Sequence, residues 1–156
     1  MNIFILDDDI VKCAQYHVDK HVVKMPLELA QLLCTCHHEY GTNTDDMYKP
    51  THRNHPCAVW VRESKSNYEY TYQLFIALLN EYRHRYHKIH GCYKLLDALS
   101  NAPHNMPDVG ATPPAQAIAD ESCKCESTVQ AYRNYYMKHK RRLIGWTNRF
   151  DPPWFK

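Results

Sequence analysis

IVKCAQYHVDKHVVKMPLELAQLLCTCH, residues 10–37, carries the clearest helical pattern in the chain. Apolar residues recur in it every three or four positions, which is the period of a helix that buries one face. Because one of Asp7, Asp8 or Asp9 can cap such a helix, the pattern predicts a single long helix ending near residue 37. Pro26 lies inside it and is expected to kink it. The apolar stripe consists of Val11, Ala14, Val18, Val22, Met25, Leu29 and Leu32.

A row of polar residues follows the same helical period, about one position away from the apolar stripe. This places the row at the edge of the buried face, where partial burial shifts pKa values. Histidines, a lysine, a carboxylate and an amide in one row indicate a lined site more than a solvated face. The alternative is a boundary row whose members make ordinary hydrogen bonds. The row consists of His17, His21, Lys24, Glu28 and Gln31.

The remaining pattern predicts two further main helices and a long loop. Turn-forming residues fill 39–55, and Pro56 suits the first turn of a second long helix that runs to about His87. Proline and alanine dominate the loop 101–119. We therefore predict a mainly α, compact single domain over residues 1–156, made of two long helices, a late helix and a short N-terminal extended segment. The smaller expected elements are an extended segment at 2–6, a short helix at 93–99, a late helix at 125–144 and a tail, 146–155, that packs back on the body.

Composition limits the classes of function. The chain has 156 residues, 44% of them hydrophobic and 23% charged, with a formal net charge of +2, so bulk charge does not announce a nucleic-acid binder. It has no apolar run long enough to span a bilayer, and MNIFIL is too short for a signal peptide. We therefore expect a cytoplasmic protein, in a host cell, with no membrane partner. Seven cysteines, an odd number, favour reduced thiols over a disulfide framework.

The segment THRNHPCAVW, residues 51–60, places His52, Arg53, Asn54 and His55 at the predicted start of the second helix. Free backbone N–H groups and the positive end of the helix dipole make such a place an anion site, suited to phosphate. The alternative is ordinary capping by Asn54, which needs only one of these residues. Three further residues are candidate nucleotide or phosphate ligands: Arg62 and Asn67, which flank the buried stripe of this helix, and His17 on the first helix.

Metal binding is a weaker alternative. His17 and His21 have the spacing of a metal-binding pair, but Val18 stands where the zinc-protease motif needs glutamate. The chain has no CxxC pair, so the common zinc-ribbon patterns fail. We therefore expect the histidines to make hydrogen bonds, and we predict neither a metal nor a cofactor. The remaining combinations draw on His52 or His55 as a third ligand, or on Cys34, Cys36, His37 and His38 with Cys123 and Cys125.

Lys24, Glu28 and His21 are the candidate catalytic residues. A lysine beside a histidine and an apolar stripe is expected to have a lowered pKa, and a neutral lysine can form a Schiff base with an opened sugar. Glu28, one turn further on, could move the proton. The alternative is a plain surface pair between Lys24 and Glu28.

Two basic clusters and many aromatic residues favour a DNA or nucleotide ligand. Twelve tyrosines and three tryptophans suit stacking on bases as well as core packing. The basic clusters could contact phosphate, or could be solvated helix ends favoured by the helix dipole. They are Arg83, His84, Arg85, His87 and Lys88, and Lys138, Lys140, Arg141 and Arg142.

Most of the chain resembles a family of small tailed-phage proteins. The matching stretches are DKHVVKMPLELAQLLCT (19–35), YKPTHRNHPCAVWVRES (48–64), AYRNYY (131–136) and PPWF (152–155). A more remote resemblance links AQYHVDKHVVKMP (14–26) and KPTHRNHPCAVW (49–60) to the phage endonuclease V family of pyrimidine-dimer glycosylases.

The glycosylase resemblance implies a similar helical fold and a site on the first long helix. In that matching, His17 takes the family's histidine, Pro26 its proline, Lys24 its catalytic glutamate and Val23 its nearby arginine. The family uses an amino-terminal nucleophile freed after methionine removal, whereas methionine before asparagine is normally retained. The resemblance and the candidate catalytic residues together predict a DNA glycosylase/lyase-like protein that acts on bases or nucleotides. The alternatives are a non-catalytic phage nucleotide-binding protein of the anti-defence class and a metal-dependent hydrolase with a histidine-rich site.

Overall fold

A computed structural model describes residues 1–156 and contains five α-helices and no β-strand, so the predicted mainly α fold is confirmed. The helices are α1 (Ile10–Tyr16), α2 (Asp19–Glu39), α3 (Pro56–Glu63), α4 (Lys65–Tyr86) and α5 (Thr128–His139). Short 3₁₀ turns cover Gly91–Leu95, Glu121–Cys123 and Arg141–Leu143. No helix combines the length and the apolar character that crossing a bilayer would require.

The first predicted helix is two helices, and the prediction of one was wrong. The break lies at His17 and Val18, whose backbones are extended, while α2 continues through Pro26. The backbone N–H of Asp19 donates to Gly145 O at 2.8 Å, so a contact with the distant tail satisfies the start of α2. A Cβ at Gly145 would lie 2.9 Å from Asp19 Oδ2, so a larger residue there would displace the carboxylate that Arg85 and Thr147 hold.

The second predicted helix is also broken, at Ser64. Its backbone is extended, and its Oγ accepts from the N–H of Asn67 at 3.2 Å, which caps the start of α4. Asn67 Nδ2 donates at 2.8 Å to Trp60 O, an otherwise unpaired carbonyl at the end of α3. α4 ends at Tyr86, one residue before the predicted end.

The later elements are shorter than predicted. A 3₁₀ turn at Gly91–Leu95 replaces the helix expected at 93–99. The late helix α5 spans Thr128–His139, because Ser127 caps its start and Lys140 leaves helical geometry. The predicted packing of the tail is confirmed: Trp146 is 6% exposed, and its Nε1 donates to Tyr16 O at 3.0 Å.

α4 is the central helix and packs against α1, α2 and α3. Its Arg85 side chain is fully buried and ties these helices together. It bonds Glu81 on its own helix at 2.8 Å, Asp19 on α2 at 2.9 Å and the carbonyl of Gln15 on α1 at 2.9 Å. The segment from residue 2 to residue 6 is buried and extended, and this arrangement fixes the path of the chain from its first residue.

Candidate active site

The amino terminus lies beside a carboxylate of α2. The nitrogen of Met1 is 3.9 Å from Glu28 Oε2, and Lys24 Nζ is 3.1 Å from Oε1 of the same group. The Glu28 side chain is 11% exposed, whereas that of Lys24 is 68% exposed. Two amines therefore face one nearly buried carboxylate, one from the start of the chain and one from solvent.

Asn2 holds the amino terminus in place. Its Nδ2 donates to Ala117 O at 2.9 Å, and its Oδ1 accepts from the hydroxyl of Tyr132 at 2.7 Å. The oxygen of the same hydroxyl lies 2.9 Å from Ala115 O, a second acceptor for its single hydrogen. The first two residues are thus fixed between the long loop and α5, with the amine directed toward α2.

His55 lies within electrostatic range of this pair of groups. Its Nδ1 accepts from the N–H of Cys57 at 3.1 Å, which caps α3. Burial lowers the pKa of His55, the positive charges of the amino terminus and His52 lower it further, and the charge of Glu28 acts in the opposite direction. His52 is exposed, has a left-handed backbone and shares a hydrogen bond with Thr51 at 2.7 Å.

His21 faces an aromatic cluster instead of the carboxylate. Its Nδ1 lies 2.5 Å from the hydroxyl of Tyr136, and its ring stacks on Phe4 with centroids 4.5 Å apart. Burial, followed by the charges of His17, Lys140 and Lys24, lowers the pKa of His21 to about 3. His21 is therefore neutral at physiological pH and orients Phe4 and α5 around the amino-terminal segment.

His17 is sealed inside the protein, so the polar row of the sequence does not form one lined face. Its ring has no exposed surface, its Nδ1 lies 2.7 Å from Cys13 O, and its Nε2 has no partner. Burial lowers the pKa of His17 to about 4. The break between α1 and α2 separates His17 from the rest of the row, so it cannot reach a phosphate in this conformation.

The start of α3 is partly occupied by the protein itself. His55 caps it, not Asn54, which lies exposed beside it. Arg53 forms an ion pair with Glu39, and Arg62 Nη1 donates to Arg53 O at 2.6 Å. Arg53 and Arg62 thus brace this helix start, and Asn54 and His52 remain open to solvent.

Asn67 has no exposed surface and uses all its polar atoms. Besides Trp60 O, its Nδ2 donates to Thr112 Oγ1 at 2.7 Å, and its Oδ1 accepts from the N–H of Thr112 at 3.1 Å. It joins α3, α4 and the long loop. The prediction of a ligand contact therefore does not fit its placement.

The metal combinations drawn from the sequence do not assemble. His37 bridges Thr42 and Tyr68, and His38 bonds Tyr48 O. Cys36 contacts the sulfur of Met106 at 3.5 Å. These residues pack around the end of α2, and Cys123 instead lies beside Asp120 and His139.

The basic cluster on α4 divides into an inner and an outer part. Arg85 is buried in the helix junction and cannot contact phosphate. The other four members are exposed, and three of them, with Asn80, line an open depression of about 540 Å³. These three are Arg83, His84 and His87.

Sequence patterns did not reveal the amino terminus, Asn2 or the two tyrosines of α5. Tyr132 and Tyr136 meet Asn2 and His21 across separations of 130 and 115 residues, which no local period can reveal. The carboxylate that faces the amine is Glu28, one turn beyond Lys24, where the resemblance placed the family's glutamate. Helical spacing in the sequence predicts this glutamate as a catalytic residue, but as the partner of Lys24 and not of the amino terminus.

Residues 1–94, which contain Met1, Lys24, Glu28, His55 and most of the helical core, match the model of a family described as pyrimidine dimer DNA glycosylase. The match does not include α5. Neither the curated proteins nor the solved structures include a significant match to this chain. At family level the match supports a DNA glycosylase-like function and a DNA substrate. Because the match covers more than half of its residues, the chain belongs to the pyrimidine dimer DNA glycosylase family.

Proposed function

We propose that this protein is a DNA glycosylase with lyase activity in which the Met1 amine attacks the sugar and Glu28 moves the protons. The observation that carries this proposal is the contact of 3.9 Å between the Met1 nitrogen and Glu28 Oε2. An amine nucleophile beside a carboxylate is the arrangement that imine chemistry at a sugar carbon requires. The family description makes DNA with pyrimidine dimers the first substrate to test.

The reaction balances with these two groups, the substrate and water, which protonates the departing base and takes up the C2′ proton. The amine lone pair attacks C1′ while the bond from C1′ to the base breaks, and the base leaves with that electron pair and takes up a proton. Glu28 accepts a proton from the new ammonium and returns it to O4′ as the bond from C1′ to O4′ opens. The resulting imine allows loss of the C2′ proton and departure of the 3′ phosphate, and water then frees the amine.

Met1 is a better candidate than Lys24 for the nucleophile. The α-amino groups of proteins have an ordinary pKa of about 7.7–8.0 and lysines one of about 10.4, so α-amines are neutral more often at pH 7. The Lys24 side chain is 68% exposed, so it lacks the desolvation on which our sequence-based mechanism relied. Its open position beside Glu28 suits a contact with a DNA phosphate instead.

Borohydride trapping tests the choice of nucleophile. Wild-type protein incubated with abasic-site DNA and borohydride should give a covalent adduct, because reduction fixes the imine. Lys24→Arg keeps the positive charge but removes the lysine amine. Because the proposed nucleophile is the Met1 amine, this variant should still form the adduct. Loss of the adduct in Lys24→Arg would move the nucleophile to Lys24, and Lys20→Arg, on the same helix, is the matched control.

UV-irradiated DNA tests the glycosylase step separately. The protein should break the bond between the damaged base and its sugar and cut the strand at dimer sites, while undamaged DNA stays intact. An adduct with abasic DNA but no cleavage of irradiated DNA would restrict the protein to lyase activity. If abasic, irradiated and phage-modified DNA all give no adduct, the alternative of a nucleotide-binding protein replaces this proposal.

A further inference from the structure

A cluster of three metal-ligand side chains lies outside the matched region and outside the site described above. A carboxylate oxygen of Asp120, the Sγ of Cys123 and a ring nitrogen of His139 all lie within 4.8 Å of one another. Asp120 caps the 3₁₀ turn Glu121–Cys123, Cys123 ends that turn, and His139 is the last residue of α5. The turn and the helix end thus present three different ligand atoms to one point.

The donor set is the kind that zinc prefers. Zinc binds thiolate, imidazole and carboxylate, and three protein ligands leave its fourth tetrahedral position to water. Cys123 is 2% exposed, and the His139 side chain is 39% exposed. An ion could therefore enter from the solvent side, where it meets the carboxylate and the imidazole first, and then reach the buried thiol.

Hydrogen bonds already hold the carboxylate in position. Asp120 Oδ1 accepts from the N–H of Ser122 at 3.0 Å and from its Oγ at 2.6 Å. Oδ2 lies 2.7 Å from His139 Nε2 and 2.7 Å from Lys138 Nζ. The contacts with Ser122 orient this carboxylate before a metal arrives, as outer hydrogen bonds do for other metal ligands.

Lys138 is the cation that now neutralises the cluster. Its ammonium also donates to Ser122 Oγ at 2.7 Å. Its side chain is 55% exposed, so it can swing into solvent when a divalent ion takes its place. A cation already attracted to this point shows which sign of charge the cluster favours.

We propose that Asp120, Cys123 and His139 bind a divalent ion of the zinc class. On binding, the thiol releases its proton to solvent, the ion bonds Sγ, the imidazole nitrogen and Oδ2, and Lys138 leaves the carboxylate. The ion fastens the 3₁₀ turn to the end of α5, the helix that holds Asn2 and His21 through its tyrosines. This site is independent of the proposed glycosylase chemistry.

Cobalt titration of the reduced, full-length protein in metal-free buffer tests the site. Cobalt should give a thiolate charge-transfer band and the intense visible bands of a tetrahedral ion, at one equivalent, and zinc should displace it. Cys123→Ser should lose the charge-transfer band, whereas Cys125→Ser, the exposed neighbour, should keep it. Asp120→Asn removes a charged ligand oxygen, so it should weaken binding by at least the roughly 10- to 100-fold that loss of an outer orienting group costs.

Lys138→Met provides a variant that does not threaten the fold, because the side chain is more than half exposed. It removes the competing ammonium, so cobalt should bind several-fold more tightly. Absence of a charge-transfer band in the wild-type protein would overturn the proposal. Retention of the band in Cys123→Ser, with unchanged circular dichroism, would overturn it too, since another thiol would then be the ligand. Unchanged or weaker affinity in Lys138→Met would also contradict it.

Discussion

Glu28 is the residue on which the proposed chemistry depends most directly. Its two oxygens face two amines, so it can accept a proton from either one. Helical spacing places Glu28 beside Lys24, and the family resemblance points to an amino-terminal nucleophile, but no local pattern shows that the start of the chain returns to Glu28. That contact depends on Asn2 and Tyr132, which bond across 130 residues.

Glu28→Gln should therefore slow imine formation while leaving the fold intact. The amide keeps the shape but cannot accept a proton, so single-turnover trapping should slow by about 10²- to 10⁴-fold, the usual contribution of a general base. Glu69→Gln, at an exposed position on α4, is the matched control and should trap at the wild-type rate. A Glu28→Gln protein that traps as fast as wild type would remove Glu28 from the mechanism.

The buried imidazoles of His17 and His21 predict a loss of stability in mild acid. Burial lowers the pKa of His17 to about 4 and that of His21 to about 3, from 6.5. The unfolded chain binds more protons below pH 6.5, so the stabilisation is present above pH 6.5 and is lost as pH falls toward these values. Between pH 7 and pH 5 each imidazole should reduce the free energy of unfolding by about 2 kcal/mol.

Urea unfolding at several pH values measures this loss. His21→Gln should flatten the pH dependence between pH 7 and pH 5 by about one proton, because the His21 imidazole no longer takes up a proton on unfolding. His104→Gln changes an exposed histidine and should leave the pH dependence unchanged. A flat profile in the wild-type protein would show that these imidazoles take up protons in the folded state.

At the scale of elements, periodicity predicted the helices but not their ends. The stripe of α2 and the start of α3 at Pro56 follow from apolar spacing and from proline chemistry. The breaks at His17 and at Ser64 depend instead on the tail and on Asn67, which supply hydrogen bonds from elsewhere. The candidate site shows the same limit, because its members come from separate elements.

Arg85 is the main polar link between elements. Arg85→Met should lower the free energy of unfolding by up to about 3–5 kcal/mol, because Asp19 loses its arginine partner and Glu81 keeps only the partly exposed Arg149. Arg83→Met changes an exposed arginine on the same helix and should alter it by less than about 0.5 kcal/mol. Urea unfolding of both variants measures the difference, and equal effects would contradict the proposed link.

At the scale of the whole molecule, the net charge is only +2, but Arg83, His84 and His87 form a local basic surface at the end of α4. His90, which lines an adjoining depression with Asn80 and Arg83, lies 2.9 Å from the carbonyl oxygen of Val23, the residue before Lys24. A DNA backbone that reaches the amine could therefore extend along α4. The exposed Phe150 ends a neighbouring depression shared with His84.

This surface predicts a salt-dependent contribution to DNA affinity. Arg83→Gln should weaken binding to undamaged duplex and reduce the slope of log affinity against log salt by about 0.9, the value for one lost phosphate contact. Lys124→Gln, whose ammonium is paired with Glu121, should change neither quantity. Fluorescence anisotropy at several salt concentrations measures both, and an unchanged slope in Arg83→Gln would exclude this surface from the DNA path.

The central claim concerns one covalent bond, and peptide mass spectrometry of the borohydride-trapped complex tests it most directly. Wild-type protein trapped on abasic-site DNA, digested with nuclease and protease, should carry the reduced sugar remnant on the Met1 nitrogen of the amino-terminal peptide. The intact mass of the undigested protein, measured in parallel, should show that Met1 is retained. A remnant on Lys24, or on any other side chain with Met1 unmodified, would contradict the account.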